Sequence, residues 1–319
     1  QVSQYEEPIC TGGSVEIGLD DGTRKTIRLT RIHMEEDAGK SIHDLDDDTL
    51  IDMNRCGVPL VEIVTEPDIR SPHEAYLVLC VIRQIVTYLG ICDGNMEEGS
   101  LRCDANVSVR KKGETRYGTK TEVKNMNSFR NVERALEFEI TRQIQLLGDG
   151  EAVVQETLLW DADRNIASSM RSKEEAHDYR YFPDPDLVPV VVDEPWIQNI
   201  AASLPEHPAV RRDRFIRDYG LPAYDADILT SERGYADYFE KVLDSLGRDN
   251  RDHIKLASNW VMTDLLRVVG ETKTRIGDIP VSPDRLAHML RLIIDGTVSG
   301  KIAKDIFEEM LVSGETPGR

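Results

Sequence analysis

The chain has 319 residues, 40% of them hydrophobic, with 39 Lys and Arg against 58 Asp and Glu, a net charge of −19. That length holds two domains and at least one sizeable core, and the acidity argues against a general nucleic-acid binder, which is basic as a rule. No apolar run reaches the roughly 18 residues that a membrane-spanning helix needs, and the five dispersed cysteines have no CxxC spacing, which points to reduced cytosolic thiols rather than a disulfide framework or a thiolate zinc site.

The opening Gln1-Val2-Ser3-Gln4 has neither an initiator Met nor a basic-then-apolar leader, the pattern expected of a piece of a longer protein. Val15, Ile17 and Leu19 alternate with polar residues before Asp20-Asp21-Gly22, a hairpin signal, and Ile27, Leu29 and Ile32 continue a strand. Residues 58–65 are rich in β-branched types and predict another strand. Ser71, Pro72 and Glu74 then read as cap, first helical residue and capping box. The stripe Ala75, Val78, Leu79, Ile82, Ile85, Val86, Leu89 runs to a stop at Gly90. Strands are expected over 100–110 and 118–125 around a Gly113 turn, a helix over 128–147, and strands over 153–160 and 166–171. Residues 177–192, rich in Pro and Asp, predict a long ordered loop. After about residue 200, helical periodicity marks 203–219, 225–246, 251–269, 282–295 and 299–312. Residues 251–319 hold ten basic and ten acidic residues, so the whole excess, 29 against 48, lies in 1–250. The fold class is therefore α+β, a mainly antiparallel-sheet domain with flanking helices followed by an all-helical domain.

Three stretches concentrate chemistry. Extended from 101 to 109, the chain puts Leu101, Cys103, Ala105, Val107 and Val109 on one face and Arg102, Asp104, Asn106 and Ser108 on the other. Lys120, Glu122 and Lys124 share one face of the following strand. Paired as a hairpin, these residues suit phosphate through the lysines and Mg²⁺ through the oxygens; the same pattern suits a solvated sheet face with cross-strand ion pairs. The second stretch, 31–40, gathers His33, Glu35, Glu36 and Asp37, with Glu35 and Glu36 on opposite faces, and equally fits a charged surface turn. Its Gly39-Lys40 lacks the upstream glycine of a P-loop. Third, Glu62 and Glu66 share a strand face near Arg70. The seven histidines have no HxH or HExxH spacing, and His177 and His207 read as isolated and solvated.

Six strings, RIHMEEDAGKS (31–41), DMNRCGVPLVEIVTEPDIRSPHEA (52–75), MEEGSLRCDANVSVR (96–110), GTKTEVKNMNSFRNVERALEFEI (118–140), DYRYFPDPDLVPV (178–190) and DGTVSGKIAKDIFEEM (295–310), closely resemble, in order, the B-subunit family of the aspartyl/glutamyl-tRNA amidotransferase. The resemblance implies a cradle domain with an ATP and Mg²⁺ site over residues 1–200, a helical domain over 201–281, and the start of a tRNA-contacting tail domain over 282–319. It further implies a cytoplasmic, ATP-dependent ligase. This chain would phosphorylate the side-chain carboxylate of Asp-tRNA(Asn) or Glu-tRNA(Gln). Ammonia made from glutamine by an amidase A subunit would then displace phosphate, within a heterotrimer completed by a small C subunit. Family members carry about ninety residues before the position of Gln1, including a Glu/His pair at the metal, so part of the metal site and most of the tail are expected to be missing. By resemblance Glu36 is the metal and ammonia-gate residue. On geometric grounds Asp104 and Glu122 join it as metal ligands, Lys120, Lys124 and Asn106 contact the nucleotide, and Arg102 orients the acyl substrate, with Lys120 also catalytic. A non-catalytic tRNA-binding scaffold and an unrelated metal-dependent phosphotransferase are the competing readings.

Overall fold

A computed structural model describes residues 3–42, 50–169, 186–314 and 316–317. The chain forms two compact units, Gln1–Arg83 with Gly94–Gln198, and Gln84–Asp93 with Asn199–Arg319.

The first unit is built on two main sheets. Strands β1 (Cys10–Thr11), β2 (Ser14–Gly18), β3 (Arg24–Glu36) and β6 (Pro59–Thr65) form one, all pairings antiparallel, and β4 (Lys40–Ile42) with β5 (Leu50–Asp52) forms a separate ribbon. The expected hairpin is present: Val15 faces Ile27 in the ladder, and Val15, Ile17 and Ile27 are buried. Gly22 turns the chain at φ 81°, a conformation with little cost for glycine. The thirteen-residue β3 is the spine, pairing with β1, β2 and β6. Its register with β6 sets His33 opposite Glu62 and Glu36 opposite Pro59.

Helix α1 (Pro72–Tyr88) starts as expected, the Glu74 N–H donating to Ser71 Oγ at 3.1 Å. The capping box is a correction. The Glu74 carboxylate accepts instead from the Arg70 N–H at 2.6 Å and from Lys25 Nζ at 2.7 Å, because a cation on β3 offers it more than the Ser71 N–H does. Gly90, at φ 69°, ends the helix.

The second sheet runs β10-β9-β8-β7: β7 (Ala105–Val107), β8 (Thr121–Lys124), β9 (Thr157–Asp161), β10 (Ile166–Ser169). All its pairings are antiparallel except β8 with β9, which are parallel and joined through helix α2 (Phe129–Gly148). Ser128 caps α2, accepting from the Asn131 N–H. Val132, Ala135, Leu136, Glu139 and Gln143 face inward at helical spacing. With Ala75 of α1, Val123, Leu158 and Trp160, the apolar ones among them make this unit's core.

Strands β7 and β8 are shorter than the sequence predicts, for a reason found on α2. Gln143 Oε1 accepts from the Val109 N–H at 3.1 Å, and Gln143 Nε2 lies 3.2 Å from the Val107 carbonyl, 2.9 Å from Thr121 Oγ1 and 2.9 Å from Glu139 Oε1. The helix side chain replaces the next rung of the ladder. Replacing Gln143 with Leu strands these groups, and the expected loss is about 2–3 kcal/mol, read by denaturant unfolding of the wild type and the variant. A loss under about 0.5 kcal/mol, the size of a neutral surface change, would refute this role for Gln143.

The second unit is helical. Helix α3 (Glu194–Ser203), not anticipated by the sequence, has no buried residue. Next come α4 (Pro208–Tyr219), α5 (Ala223–Leu229), α6 (Arg233–Leu246), α7 (Arg251–Trp260), a π turn at Val261–Leu265, α8 (Leu266–Thr272), a 3-10 turn at Ile276–Asp278, α9 (Pro283–Ile294) and α10 (Gly300–Ser313). The single helix expected over 225–246 breaks after Leu229, where the Thr230 hydroxyl caps the Ala226 carbonyl and the Thr230 carbonyl accepts from Tyr88 Oη and Gln84 Nε2. His207 is exposed and caps α4 by accepting from the Ala209 N–H; His177 lies outside the described residues. Leu286, Leu290, Phe307 and Met310 share one buried cluster with Phe215, Phe239 and Leu265. All five cysteines are free, and among the described residues no helix is long and apolar enough to cross a membrane.

Candidate active site

The β7–β8 hairpin brings together most of the polar residues singled out on those strands. Asn106 pairs with Glu122 in the ladder. One step on, Lys124 Nζ donates to Asp104 Oδ2 at 3.0 Å and lies 3.5 Å from Glu122 Oε1. Thr157 Oγ1 of β9 donates to Glu122 Oε2 at 3.0 Å. The opposite face of β8, Thr121 and Val123, is fully buried, so strand alternation presents Glu122 and Lys124 away from the core. Burial works to lower the Lys124 pKa, but the hydrogen bond and charge of Asp104, with Glu122 adding to them, raise it, so the amine stays cationic. Lys120, exposed and one residue before β8, makes no ion pair among the described residues.

Arg102 goes elsewhere. Its Nη2 lies 3.0 Å from Asp37 Oδ2, just after β3, and Arg55 Nε donates to that same oxygen at 2.8 Å. Burial pushes the Asp37 carboxyl up, but the two guanidiniums outweigh it and hold it below its ordinary range.

On β3 the strand period separates the two glutamates. His33 Nε2 lies 3.1 Å from Glu35 Oε1 and 3.7 Å from Glu62 Oε2. These three ligand atoms fall within 4.8 Å of one another, the one such group of His, Cys or carboxylate ligands among the described residues. Glu36 alternates to the other face of the strand, alongside Met34 and its partner Val61. Glu36, Asp104 and Glu122, named above as metal ligands, therefore do not converge as a group of three. Glu122 sits on a different sheet from Glu36, and Asp104 immediately precedes β7 of that same different sheet.

The His33 cluster is well supported. The ring is fully buried, Tyr5 meets it edge-on at 6.2 Å, and Ser3 Oγ donates to Glu35 Oε1 at 2.6 Å. One imidazole and two carboxylates whose ligand atoms lie within 4.8 Å of one another would suit three sites on a divalent cation such as Mg²⁺ or Mn²⁺. Nδ1 of the ring accepts a long 3.4 Å contact from Arg31 Nε, and a cation held on Nε2 would require that nitrogen to carry the ring proton instead. Sequence reasoning grouped His33 with Glu35 in one stretch and placed Glu62 in another, and did not join the three. The alternation His33-x-Glu35 was readable, but the register that sets Glu62 opposite His33 was not. Of the third stretch, Glu66 accepts from Thr30 Oγ1 and Arg70 turns back onto the Pro67 and Ile69 carbonyls.

The sequence matches known proteins along its length. A family model described as the GatB/GatE catalytic domain matches residues 1–198, and one described as the GatB domain matches residues 237–319. The B subunit of the aspartyl/glutamyl-tRNA(Asn/Gln) amidotransferase of Chlorobium phaeobacteroides is 60% identical over 315 residues, 99% of this chain and 65% of its own length. The protein of the same name from Chlorobaculum tepidum is 57% identical over 310 residues, 97% of this chain and 64% of its own. That of Thermodesulfovibrio yellowstonii is 54% identical over 316 residues, 99% and 65%. The chain thus spans somewhat less than two thirds of the length of these relatives. With the catalytic-domain model matched across the first 198 residues, the chain belongs to the GatB/GatE family.

Proposed function

We propose that this chain is the phosphorylating part of the B subunit of a tRNA-dependent amidotransferase, acting in the cytoplasm on Asp-tRNA(Asn), Glu-tRNA(Gln) or both. The observation that carries the reading is the exposed face of β7–β8, where Lys124, Asp104, Glu122 and Asn106 meet in a member of a catalytic-domain family. The relatives' names specify the tRNA substrates and place those proteins within a multi-subunit enzyme. The partners proposed are an amidase A subunit and a small C subunit.

A carboxylate resists ammonia because oxide is a poor leaving group. Transfer of the ATP γ-phosphoryl group to a carboxylate oxygen gives an acyl phosphate and ADP. Ammonia then attacks the carbonyl carbon, phosphate leaves, and a proton is lost to give the amide. Phosphoryl transfer is chiefly a matter of positioning and charge neutralisation. Lys124, held cationic by Asp104 and Glu122, neutralises phosphate charge, and Lys120 adds a second cation. Asn106 offers an amide to the nucleotide, and Arg102 orients an anionic reactant. A divalent cation held by His33, Glu35 and Glu62 would supply Lewis acidity toward phosphate oxygens. Glu36, on the other face of β3, is left to the ammonia route rather than to that cation.

The test is reconstitution of the full-length protein with its A and C partners, with amidation of Asp-tRNA and Glu-tRNA measured against ATP, Mg²⁺ and glutamine. Wild type is expected to amidate at least one of them, and Lys124→Ala to lower the rate by about 100-fold while the partner's glutaminase persists. An assembled complex that hydrolyses glutamine but consumes no ATP would establish the scaffold reading instead.

A further inference from the structure

We propose that Asp37 is a positioning residue that aims the Arg102 guanidinium at the anionic reactant, an inference that rests on the phosphorylating function above. Three segments meet at this carboxylate: the end of β3, the turn before β6 that carries Arg55, and the loop before β7 that carries Arg102. Asp37 is 6% exposed and its backbone is pinned on both sides, its N–H donating to the Val58 carbonyl at 2.8 Å and its carbonyl accepting from the Gly57 N–H at 2.9 Å. Both carboxylate oxygens are used. Oδ1 accepts from the Ala38 N–H at 3.0 Å, and Oδ2 serves both guanidiniums.

The charge balance is what makes this more than a structural clamp. Two arginines are always protonated and one carboxylate is ionised, so the group carries a net charge of about +1. Arg55 is committed to the scaffold: besides Asp37 it reaches the Glu98 carbonyl at 3.5 Å. Arg102 is not. Its side chain is half exposed, it has no second carboxylate partner among the described residues, and a guanidinium has five N–H donors of which Asp37 engages few. Arg102 lies two residues before Asp104, on the exposed side of the alternation that continues through Asn106, while Cys103 packs toward the core. A fork with spare donors, fixed by a rigid buried carboxylate, matches a phosphoryl or carboxylate oxygen pair.

The experiment is a double-mutant cycle in the reconstituted full-length complex, reading kcat/KM for Mg²⁺-ATP with aminoacyl-tRNA saturating. D37N is expected to lower it about 30-fold and R102A about 100-fold, the scale of a misplaced binding group. If Asp37 acts through Arg102, D37N/R102A stays within about threefold of R102A alone. Losses that multiply, to about 3,000-fold, overturn the proposal, as does a D37N rate within about twofold of wild type. Where D37N does not assemble, D37E keeps the charge and moves it by one methylene. An assembled D37E complex is expected to lose rate, and wild-type kcat/KM in it overturns the proposal equally. A wild-type complex that consumes no ATP shows instead that the phosphorylating function itself is wrong, and the positioning role falls with it.

Discussion

Glu62→Gln in the full-length partnered protein is expected to raise the Mg²⁺ concentration for half-maximal ATP consumption at least tenfold, whereas Glu36→Ala leaves that concentration within about twofold and abolishes amidation. The contrast follows from strand geometry. Successive side chains of β3 point to opposite faces, so His33 and Glu35 share one face and Glu36 the other. The register with β6 places Glu62 opposite His33, and the two side chains close to 3.7 Å. Removing one of three ligands weakens a cation site directly. Removing a carboxylate from the far side of the strand touches the cation only through the backbone. The measurement is a Mg²⁺ titration of both variants beside wild type, with ATP consumption and amidation read separately. A higher Mg²⁺ requirement in Glu36→Ala, with none in Glu62→Gln, would make Glu36 the ligand and remove the His33 cluster from the site.

The second large effect is on stability and belongs to the helical unit. Glu240 of α6 takes hydrogen bonds from Arg211 at 2.6 Å, Arg214 at 2.7 Å and Tyr219 Oη at 2.6 Å. Burial alone would push its carboxyl up, but the bonds from Arg214, Tyr219 and Arg211 prevail and bring its pKa down to about 2. Arg211 is itself buried, with Nε lacking any partner, so it depends on Glu240 and Asp237. Glu240→Gln leaves a buried cation short of charge, and the expected cost is about 3–5 kcal/mol, or a fall in thermal midpoint of at least about 10 °C.

That cost has a defined pH dependence. The folded carboxyl titrates below the ordinary value of 4.5, so the ionised group stabilises the fold above about pH 4.5, and this contribution is lost as pH falls toward 2. The gap between wild type and Glu240→Gln is therefore expected to be full at pH 6 and to shrink by about 3 kcal/mol toward pH 2. Denaturant unfolding at pH 6 and at successively lower pH checks it. A gap that stays constant across the series would show that Glu240 acts through shape rather than charge.

Local chemistry made much of this protein legible from its sequence alone. Alternation with an Asp-Gly turn specified the β2–β3 hairpin, and Ser71, as a cap, specified where α1 begins. These signals act over a few residues, so they survive without tertiary context. The two-sided pattern of 101–109 and of 120–124 correctly assigned the buried and exposed faces of β7 and β8, because the pleat alone determines that. The family, too, was carried by ordered strings of residues.

Tertiary structure decided the rest. Strand lengths in the β7–β8 hairpin depend on Gln143 of α2, which competes for the ladder from more than thirty residues away. The Glu74 carboxylate left the capping box for the cation of Lys25, forty-nine residues off. The grouping of site residues was likewise long-range. Alternation could show that Glu35 and Glu36 part company, but only the β3–β6 register chose Glu62 as the partner of His33, and only the fold brought Arg55 and Arg102 to one oxygen of Asp37. Charge pairing reaches as far as two side chains can meet in space, and the sequence records no such distance.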